Sequence, residues 1–460
     1  MKRYTTFLVL SSLLFLAWSA FAPAEKNIVL EENWETKISP QLTTKALRGE
    51  TLDFLVILKN QKDVSEAKHL KSKAAKANYV FSHLRQHARI SQKGILKMLN
   101  QAQAIYQPFN IVNAIHVKGD YELLKKIAQR TEVQQINDNS PVLLEEPVEK
   151  IYTNTRGPNA IEWGLEMINA DDVWNMGYKG QHVVVGGQDT GYNWEHPALS
   201  AKYRGNQGNT PDHNYNWHDA IREINPLHED STLSASNNPC GLDVPFPCDD
   251  VGSTHGTHTM GTMVGEDGDN QIGVAPDAQW VACRNMERGY GTPSTYIECF
   301  EWFMAPTDLN NENADPTKAP HVIANSWSCP PVEGCDSTNW HVMELVVENL
   351  KASGVVVVVS AGNSGGQGCG SVKTPAAMFE PSFSVGATAA NDTIADFSSK
   401  GAVTINGSGL LKPNVSAPGV LVRSSVKDSS YASYSGTSMA GPHAAGMVAL
   451  MISANPDLAG

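Results

Sequence analysis

Ser438 is the residue in this chain whose surroundings best suit nucleophilic chemistry. It follows a glycine-containing loop and precedes a run of small and apolar residues, 440–452, that predicts a buried helix. Pro442 falls in the first turn of that predicted helix, where a missing N–H is tolerated. A hydroxyl at a helix N-terminus lies where free N–H groups favour negative charge, so it can serve as a nucleophile beside a base. The alternative is a simple N-cap, and the nucleophile elbow G-x-S-x-G is excluded because Ala440 replaces its second glycine.

Three further residues could complete an acyl-transfer site around this serine. Asp189 follows an apolar run at residues 183–185, which predicts a carboxylate at the carboxyl end of a parallel strand. His255 opens another small-residue stretch that predicts a helix start, and it could act as the base. Asn363 follows a fully apolar run at residues 355–359 and could donate its amide to an oxyanion. Acid, base, amide and serine therefore each stand at the end of a predicted strand or helix.

With these residues the chain resembles the subtilisin-like serine proteases over roughly residues 161–456. The order acid, base, serine is also that of the subtilisin triad. Within the family it is most similar to the bacillopeptidase F type. The matching motifs are Asp189-Thr190-Gly191, His255-Gly256-Thr257-His258, Ser360-Ala361-Gly362-Asn363 and Gly436-Thr437-Ser438-Met439-Ala440, and for the bacillopeptidase F type Cys283-Arg284-Asn285-Met286, Asn325-Ser326-Trp327-Ser328-Cys329 and Glu333-Gly334-Cys335.

This resemblance implies an endopeptidase with Asp189, His255 and Ser438 as its triad and Asn363 as an oxyanion donor. It also implies that the substrate lies extended between two chain segments and forms backbone hydrogen bonds with them. Ser328 departs from the glycine usual at its position, which leaves the substrate preference open. The implied substrate-binding residues are Gly289, Tyr290, Gly291, Ser326, Trp327 and Ser328.

The order of strands and helices predicts two folded units behind an export signal. Residues 1–24 carry two cations and then an apolar run, which is typical of a secretory signal peptide. Residues 25–146 predict a small α+β domain of ferredoxin-like order, which resembles an inhibitory propeptide; an unrelated, retained domain is the alternative. Residues 147–160 read as a linker with the processing site. Residues 161–460 predict an α/β catalytic domain, a parallel sheet covered by helices on both faces, with residues 203–250 as a surface insertion.

The charge differs between these two predicted units. Residues 25–146 hold 18 Lys and Arg against 14 Asp and Glu, whereas residues 147–460 hold 15 against 34. A basic segment beside an acidic one suits an intramolecular inhibitor bound by electrostatic complementarity. The acidity of the larger unit argues against nucleic acid as its partner, although an acidic surface can also serve solubility alone.

Seven cysteines in an exported chain predict disulfides and one spare thiol. Spacing alone does not fix the connectivity, but close pairs are the simplest hypothesis. This scheme leaves Cys369 free. The predicted pairs are Cys240 with Cys248, Cys283 with Cys299, and Cys329 with Cys335.

No metal is required for the predicted chemistry. His258 with His255 could be read as half of a zinc site, but no third ligand stands nearby, and the resemblance implies a structural role for His258. Residues 266–270 are rich in oxygen ligands and could hold calcium. The calcium loop usual in the family is shortened here, so we expect the strong site of the family to be absent.

Two hypotheses follow from the sequence. The first is a secreted serine endopeptidase made as a self-processing zymogen, and the second is a catalytically silent relative that acts as a binding protein. The expected residue at all four catalytic positions favours the first. The resemblance also implies further helices and a strand beyond the serine helix, so the sequence ending at Gly460 is expected to be an incomplete catalytic domain.

Overall fold

The computed structural model describes residues 33–152, 161–206, 208, 210–228, 238–249, 254–327, 337 and 340–460. The predicted signal peptide lies outside these residues, as does most of the predicted linker. Within the described part, no helix has both the length and the apolar character needed to cross a membrane.

The first folded unit is an α+β domain with the βαββαβ order of ferredoxin-like folds. Its antiparallel sheet has the strand order β2-β3-β1-β4, and its own core is formed by one face of that sheet with α1, α3 and α4. The elements are α1 (Pro40–Leu47), β1 (Leu52–Leu58), α2 (Lys73–Ser91), α3 (Lys93–Gln101), β2 (Ile105–Phe109), β3 (Ala114–Gly119), α4 (Tyr121–Ala128) and β4 (Val133–Asp138).

The strand β2 is an element that the sequence did not predict. It lies at the edge of the sheet and pairs only with β3. It contains Pro108, whose nitrogen carries no hydrogen and cannot donate to a neighbouring strand, so this proline weakens the strand signal. An edge position tolerates this proline, because one side of the strand has no partner there.

The second unit contains a seven-stranded sheet in which every adjacent pair is parallel. Near-continuous apolar runs in the central strands are typical of a parallel sheet buried on both faces. From one edge to the other, its strands are β16 (Val415–Pro418), β15 (Phe383–Thr388), β14 (Val356–Ser360), β13 (Val322–Asn325), β7 (Val184–Asp189), β11 (Gln279–Arg284) and β8 (Trp217–Asp219).

Helices cover both faces of this sheet, which confirms the predicted α/β class. Alternate residues of β13 show the two faces: Val322 packs in one core with α8 and α11, and Ile323 packs in the other with α9 and α10. The long helices are α8 (His255–Val264), α9 (Pro293–Met304), α10 (Trp340–Ala352) and α11 (Thr437–Ala454), and the short ones are α5 (Trp163–Met167), α6 (Ala170–Asn175) and α7 (Pro197–Ser200).

The strand β8 corrects the prediction that residues 203–250 form only a surface insertion. All three residues of β8 are buried, and β8 forms the edge of the large sheet beside β11. Asp219 of β8 receives hydrogen bonds from the guanidinium of Arg284 on β11. A three-residue strand bounded by long polar loops has too little periodic pattern to be predicted.

Two of the three predicted disulfides are present, Cys240–Cys248 and Cys283–Cys299. Cys369 is a free, exposed thiol. The third predicted pair, Cys329 with Cys335, lies outside the described residues.

Short strands complete the architecture next to the large sheet. Two of them, β5 and β6, come from the chain segment between the two units, and they pair with β12 and β18 of the second unit. They are β5 (Val142–Leu143), β6 (Glu149–Ile151), β9 (Glu266–Asp267), β10 (Asn270–Gln271), β12 (Tyr290–Gly291), β17 (Val422–Val426) and β18 (Ser430–Ser435).

Candidate active site

Asp189 and His255 form a buried ion pair at the carboxyl edge of the large sheet. Asp189 ends β7, and its carboxylate accepts a hydrogen bond of 2.7 Å from the backbone N–H of Thr190. His255 begins α8, and its Nδ1 lies 2.9 and 2.8 Å from the two carboxylate oxygens of Asp189. The Nδ1–H therefore donates to Asp189, which leaves Nε2 as the acceptor nitrogen of the neutral ring.

The environment of His255 favours its charged form. Burial alone would lower the pKa of His255, but the negative charge of Asp189 and its hydrogen bond raise that pKa above the usual value. Nε2 is buried and has no hydrogen-bond partner among the described residues. A buried, unpaired acceptor is costly in a folded protein, so this atom is poised to receive a proton from a bound group.

Ser438 lies in the first turn of α11, which packs against α8. Its Oγ donates a hydrogen bond of 3.4 Å to the carbonyl of Ser326, directly after β13. The hydroxyl is thus bonded to Ser326 and not to the imidazole of His255. Catalytic hydrogen bonds are often long or absent without substrate and tighten only in the reacting complex.

Pro442 lies in the second turn of α11, because the helix begins at Thr437 and not at Ala440 as predicted. A proline there cannot donate to the carbonyl of Ser438, four residues earlier. That carbonyl instead accepts a hydrogen bond of 3.3 Å from Oγ of Ser326. Ser326 is therefore bonded to both the backbone and the side chain of Ser438, and it fixes the serine relative to the sheet.

Asn363 follows β14 and aims its amide at the site. Its Oδ1 accepts hydrogen bonds from the backbone N–H (2.9 Å) and the hydroxyl (3.0 Å) of Thr437. This orients Nδ2 away from Thr437, and Nδ2 is buried without a partner in the described residues. A Cβ added at Gly436 would lie 3.7 Å from this nitrogen. An unpaired amide donor next to the serine is what an oxyanion hole requires.

Asp249 is a second buried carboxylate at the site, and the sequence analysis missed it. Its Oδ1 accepts a hydrogen bond of 2.8 Å from Oγ1 of Thr190, and its Oδ2 accepts hydrogen bonds from the hydroxyl and the backbone N–H of Thr257. Thr190 directly follows Asp189, and Thr257 is two residues after His255. Burial raises the pKa of Asp249 to about 7.

The position of Asp249 depends on a close backbone approach at Gly191. Gly191 has φ +134°, and a Cβ there would lie 2.0 Å from the carbonyl oxygen of Cys248. The disulfide Cys240–Cys248 ends at the residue before Asp249. The glycine of the Asp189-Thr190-Gly191 motif indicates a close backbone approach at this position. The sequence does not show that the approaching loop is the one with Cys248 and Asp249.

The segment between the two units crosses this site. Val142–Leu143 pairs antiparallel with Tyr290–Gly291, and the N–H of Leu144 donates to the carbonyl of Gly289 at 2.7 Å. On the far side, the N–H of Val148 donates to the carbonyl of Ser435 at 2.7 Å.

Three of the predicted substrate-binding residues thus pair with an extended segment of the chain itself. The structure places Gly289, Tyr290 and Gly291 along that segment. Trp327 is buried, and the centroid of its ring lies 4.1 Å from that of Tyr296 on α9, with the two rings tilted by 40°. Any contact with substrate would therefore be made by the backbone of Trp327. Ser328 lies outside the described residues.

His258 and the acidic turn at residues 266–270 have protein partners. His258 stacks on Tyr434, and its Nε2 lies 3.0 and 3.1 Å from two backbone carbonyls. Burial lowers the pKa of His258 to about 3, so the ring is neutral. Glu266 bonds to Lys202, and the carbonyl oxygen of the Asn270 side chain accepts from Arg423.

A metal site finds little support in these contacts. The guanidinium of Arg423 bonds to Asn270 and also to Glu162, so a cation already links the acidic turn to the start of the second unit. In the described part of the chain, no three or more His, Cys, Asp or Glu side chains group as metal ligands. The expected loss of the calcium site stays a prediction.

A parallel α/β sheet with an acid, an imidazole and a serine at its edge defines the architecture of a triad hydrolase. The chain belongs to the subtilase family, whose sequence profile matches residues 180–460. It is 34% identical to bacillopeptidase F of Bacillus subtilis (strain 168), in an alignment that covers 98% of this chain and 32% of that protein.

Shorter subtilisins are also similar. Identity to subtilisin E of Bacillus subtilis (strain 168) is 27% over 76% of this chain and 74% of that protein. Identity to subtilisin DY of Bacillus licheniformis is 31% over 65% of this chain and 86% of that protein. The chain therefore spans about a third of the length of bacillopeptidase F and most of the length of the shorter relatives.

Proposed function

We propose that this protein is a serine endopeptidase made as a zymogen that cuts its own chain. The observation that carries the proposal is the pair of unpartnered buried atoms, His255 Nε2 and Asn363 Nδ2, at a site that also holds a serine at a helix N-terminus. One atom is a proton acceptor and the other a hydrogen-bond donor. A peptide carbonyl attacked by Ser438 needs both.

The reaction follows the logic of the triad. Nε2 of His255 takes the proton of Ser438 as Oγ attacks the peptide carbonyl, and it then gives that proton to the leaving amine. Asp189 holds the ring in the required tautomer and stabilises the imidazolium. Asn363 Nδ2 and the backbone N–H of Ser438 donate to the oxyanion. Water then hydrolyses the acyl-enzyme by the same steps in reverse.

The N-terminal unit is proposed to act as an intramolecular inhibitor and folding aid. It packs on α9 and α10, and the segment after it occupies the strand edges that an extended substrate would need. Cleavage of that segment would free the edges for other chains. Backbone pairing gives such a site broad tolerance of sequence, so protein and peptide substrates are expected.

Secretion is part of the proposal and rests on the sequence of residues 1–24. Export to an oxidising environment is consistent with the two disulfides of the second unit.

A silent relative that binds peptides without cutting them is the second candidate. The hydrogen bond from Ser438 Oγ to the carbonyl of Ser326 favours it, because this hydroxyl is not bonded to a base. In that case the unpartnered His255 and Asn363 atoms would only line a binding groove.

Labelling of the full chain by a fluorophosphonate probe separates the two candidates. The probe reacts only with an activated serine, so we expect labelling of the parent and none of Ser438→Ala. We also expect the parent chain to be cut between its two units while Ser438→Ala stays uncut. Ser408→Ala, at an exposed serine, is the control and should behave as the parent. A parent that is folded but takes up no probe would exclude the endopeptidase and favour the binding protein.

A further inference from the structure

The segment that crosses the site is fixed on both sides of Ser438, and only a few bonds lie between the two anchors. Leu144 is bonded to Gly289 on one side, and Val148 is bonded to Ser435 on the other. A Cβ added at Gly436, two residues before Ser438, would lie 3.8 Å from Cα of Pro147. Any bond that Ser438 attacks in this segment therefore lies between residues 144 and 147.

Glu145 inserts its side chain into a pocket beside the predicted oxyanion residue. Its Oε1 accepts a hydrogen bond of 2.8 Å from the backbone N–H of Asn363. Its Oε2 would lie 3.9 Å from a Cβ added at Gly362, so the carboxylate rests on bare backbone. Gly362 has φ +96°, and the added Cβ would also lie 3.1 Å from Oγ of Ser399, so this wall of the pocket requires glycine.

The side chain of the next residue, Glu146, points towards solvent. Its side chain is 53% exposed and forms an ion pair with Lys150 on the same segment. The side chain of Leu144, on the other side, is buried. Of the two neighbouring glutamates, only Glu145 therefore has its carboxylate in the protein.

Two lysines lie against the turn next to the pocket, in a domain that is otherwise strongly acidic. The turn Gly365–Gln367 follows Asn363, and two lysines bind it. Lys373 Nζ donates to the side-chain oxygen of Gln367 at 2.5 Å, and Lys400 Nζ donates to the carbonyl of Gly365 at 3.5 Å. Both ammonium groups favour an anion in the neighbouring pocket and disfavour a cation there.

We infer that this site prefers substrates with glutamate immediately before the cleaved bond, and that the chain cuts itself between Glu145 and Glu146. The inference rests on the proposed endopeptidase function and adds its substrate class. The bond lies just before residues 147–160, in which the sequence analysis expected the processing site. The backbone N–H of Asn363 binds the carboxylate, and the two lysines against the adjoining turn add positive charge nearby, whereas an apolar pocket would favour an aliphatic side chain.

The step balances without any further reactant besides water. Ser438 Oγ bonds to the carbonyl carbon of Glu145, and its proton passes through His255 to the nitrogen of Glu146 as the peptide bond breaks. Water then adds to the acyl carbon and the bond to Ser438 Oγ breaks, which releases the new α-carboxylate of Glu145 and returns a proton to Ser438. The new N-terminus is the amino group of Glu146.

Peptide nitroanilides with the sequence Val-Leu-Leu-X test the preference, with X as Glu, Gln, Leu or Lys. The enzyme is the full chain after self-processing, and active sites are counted by fluorophosphonate titration. We expect kcat/KM for Glu to exceed that for Gln by about tenfold, because the pair differs only in charge and a charged acceptor forms the stronger hydrogen bond. We expect Lys to be the poorest residue. Sequencing of the processed protein should begin at Glu146.

Variants of the pocket sharpen the test. Lys373→Gln and Lys400→Gln should each lower the Glu-to-Gln ratio several-fold. Lys351→Gln is the matched control, because Lys351 is a half-exposed lysine on α10, and it should keep the ratio of the parent. Glu145→Gln should slow self-cleavage of the full chain by about tenfold.

The outcomes separate this inference from the proposed function. Probe labelling together with equal or faster cleavage of the Gln or Leu peptide would overturn the glutamate preference and leave the endopeptidase intact. Failure to label and to cleave any of the four peptides would overturn both. A processed N-terminus at another residue would overturn the assignment of the Glu145–Glu146 bond.

Discussion

The N-terminal unit contacts the second unit at two places that are built in different ways. The first is the docking surface, formed by α9 and α10 against β1–β3 and α2, where apolar side chains of both units share one core. The second is the cleft, where the segment 142–151 is held largely by backbone hydrogen bonds. Side chains specify the docking surface, whereas in the cleft the backbone hydrogen bonds are joined by only a few side chains, those of Val142, Leu144 and Glu145.

Polar contacts at the centre of the docking surface show how specific it is. The partly buried carboxylate of Glu301 on α9 accepts hydrogen bonds from the backbone N–H groups of Asn110 (2.5 Å) and Ile111 (2.9 Å) and from the Asn110 side chain (2.6 Å). Asn349 on α10 donates to the carbonyl of Ile111 at 2.6 Å. Two helices of the second unit thus bind the single turn between β2 and β3.

Because the docking surface and the cleft are built differently, we expect them to have different roles. A docking surface with buried apolar and charged contacts can hold the N-terminal unit after the chain is cut. The cleft contacts must be released, because substrates use the same strand edges. Substitutions that separate the two contributions therefore test the comparison directly.

Asn363→Ala should give the largest effect, and the effect should be confined to the cleft. Loss of one oxyanion donor typically lowers turnover about 10²–10³-fold. We expect that loss both in peptide hydrolysis and in self-cleavage, with no change in the docking of the N-terminal unit. Asn391→Ala, in an exposed turn, is the control. A variant with normal turnover would remove Asn363 from the oxyanion hole.

Glu301→Gln should give a smaller effect, confined to the docking surface. The amide keeps one oxygen but turns an NH₂ group towards the N–H donors of the turn, and it loses the charge. Truncating or mismatching one partner of a buried charged contact typically costs 2–5 kcal/mol, which corresponds to a loss of about 30-fold or more in affinity. Size-exclusion chromatography of the processed protein should show earlier release of the N-terminal unit.

Glu348→Gln, at an exposed position of α10, is the control for this variant. Peptide turnover per titrated site should equal that of the parent. Release at the rate of the parent would mean that apolar packing alone holds the docking surface together.

The sequence predicted residues of the cleft, but it did not predict the contacts of the docking surface. That Asp189, His255 and Ser438 lie at the ends of strands and helices could be predicted, because short motifs place them beside apolar or small-residue runs. The docking surface could not, because Glu301 and the turn at Asn110 are 191 residues apart, and no local pattern links them. For the same reason, the contact between Glu145 and Asn363 could not be seen before the fold was known.

Two elements of the fold were missed for physical reasons that concern local signal. Pro108 breaks the pattern of β2, and β8 has only three residues in a polar loop. Both are edge strands, which pair on one side only and therefore tolerate residues that a central strand excludes. The central strands β7 and β14 were predicted within a few residues, because burial on both faces requires long apolar runs.

Glu146→Gln should give the smallest effect, and it links the cleft to the pH dependence of self-cleavage. His255 must be neutral to accept the serine proton, so the rate of self-cleavage should rise as pH increases through the pKa of His255. Burial lowers this pKa, while the charges of Asp189 and, more weakly, Glu146 raise it, with a net rise above its usual value. Removing the charge of Glu146 lowers the pKa, so the rise should move to lower pH with little change in the plateau.

Glu122→Gln, in the exposed first turn of α4, should leave the curve in place. Because the charge of Glu146 is largely exposed, added salt should also bring the parent curve towards that of Glu146→Gln. Peptide hydrolysis by the processed parent provides the stricter comparison. Cleavage lets Glu146 leave the cleft, so mature turnover should rise at a lower pH than self-cleavage does. If both reactions followed one pH curve, Glu146 would not act on His255 in the uncut chain, and the cleft would contribute to docking alone.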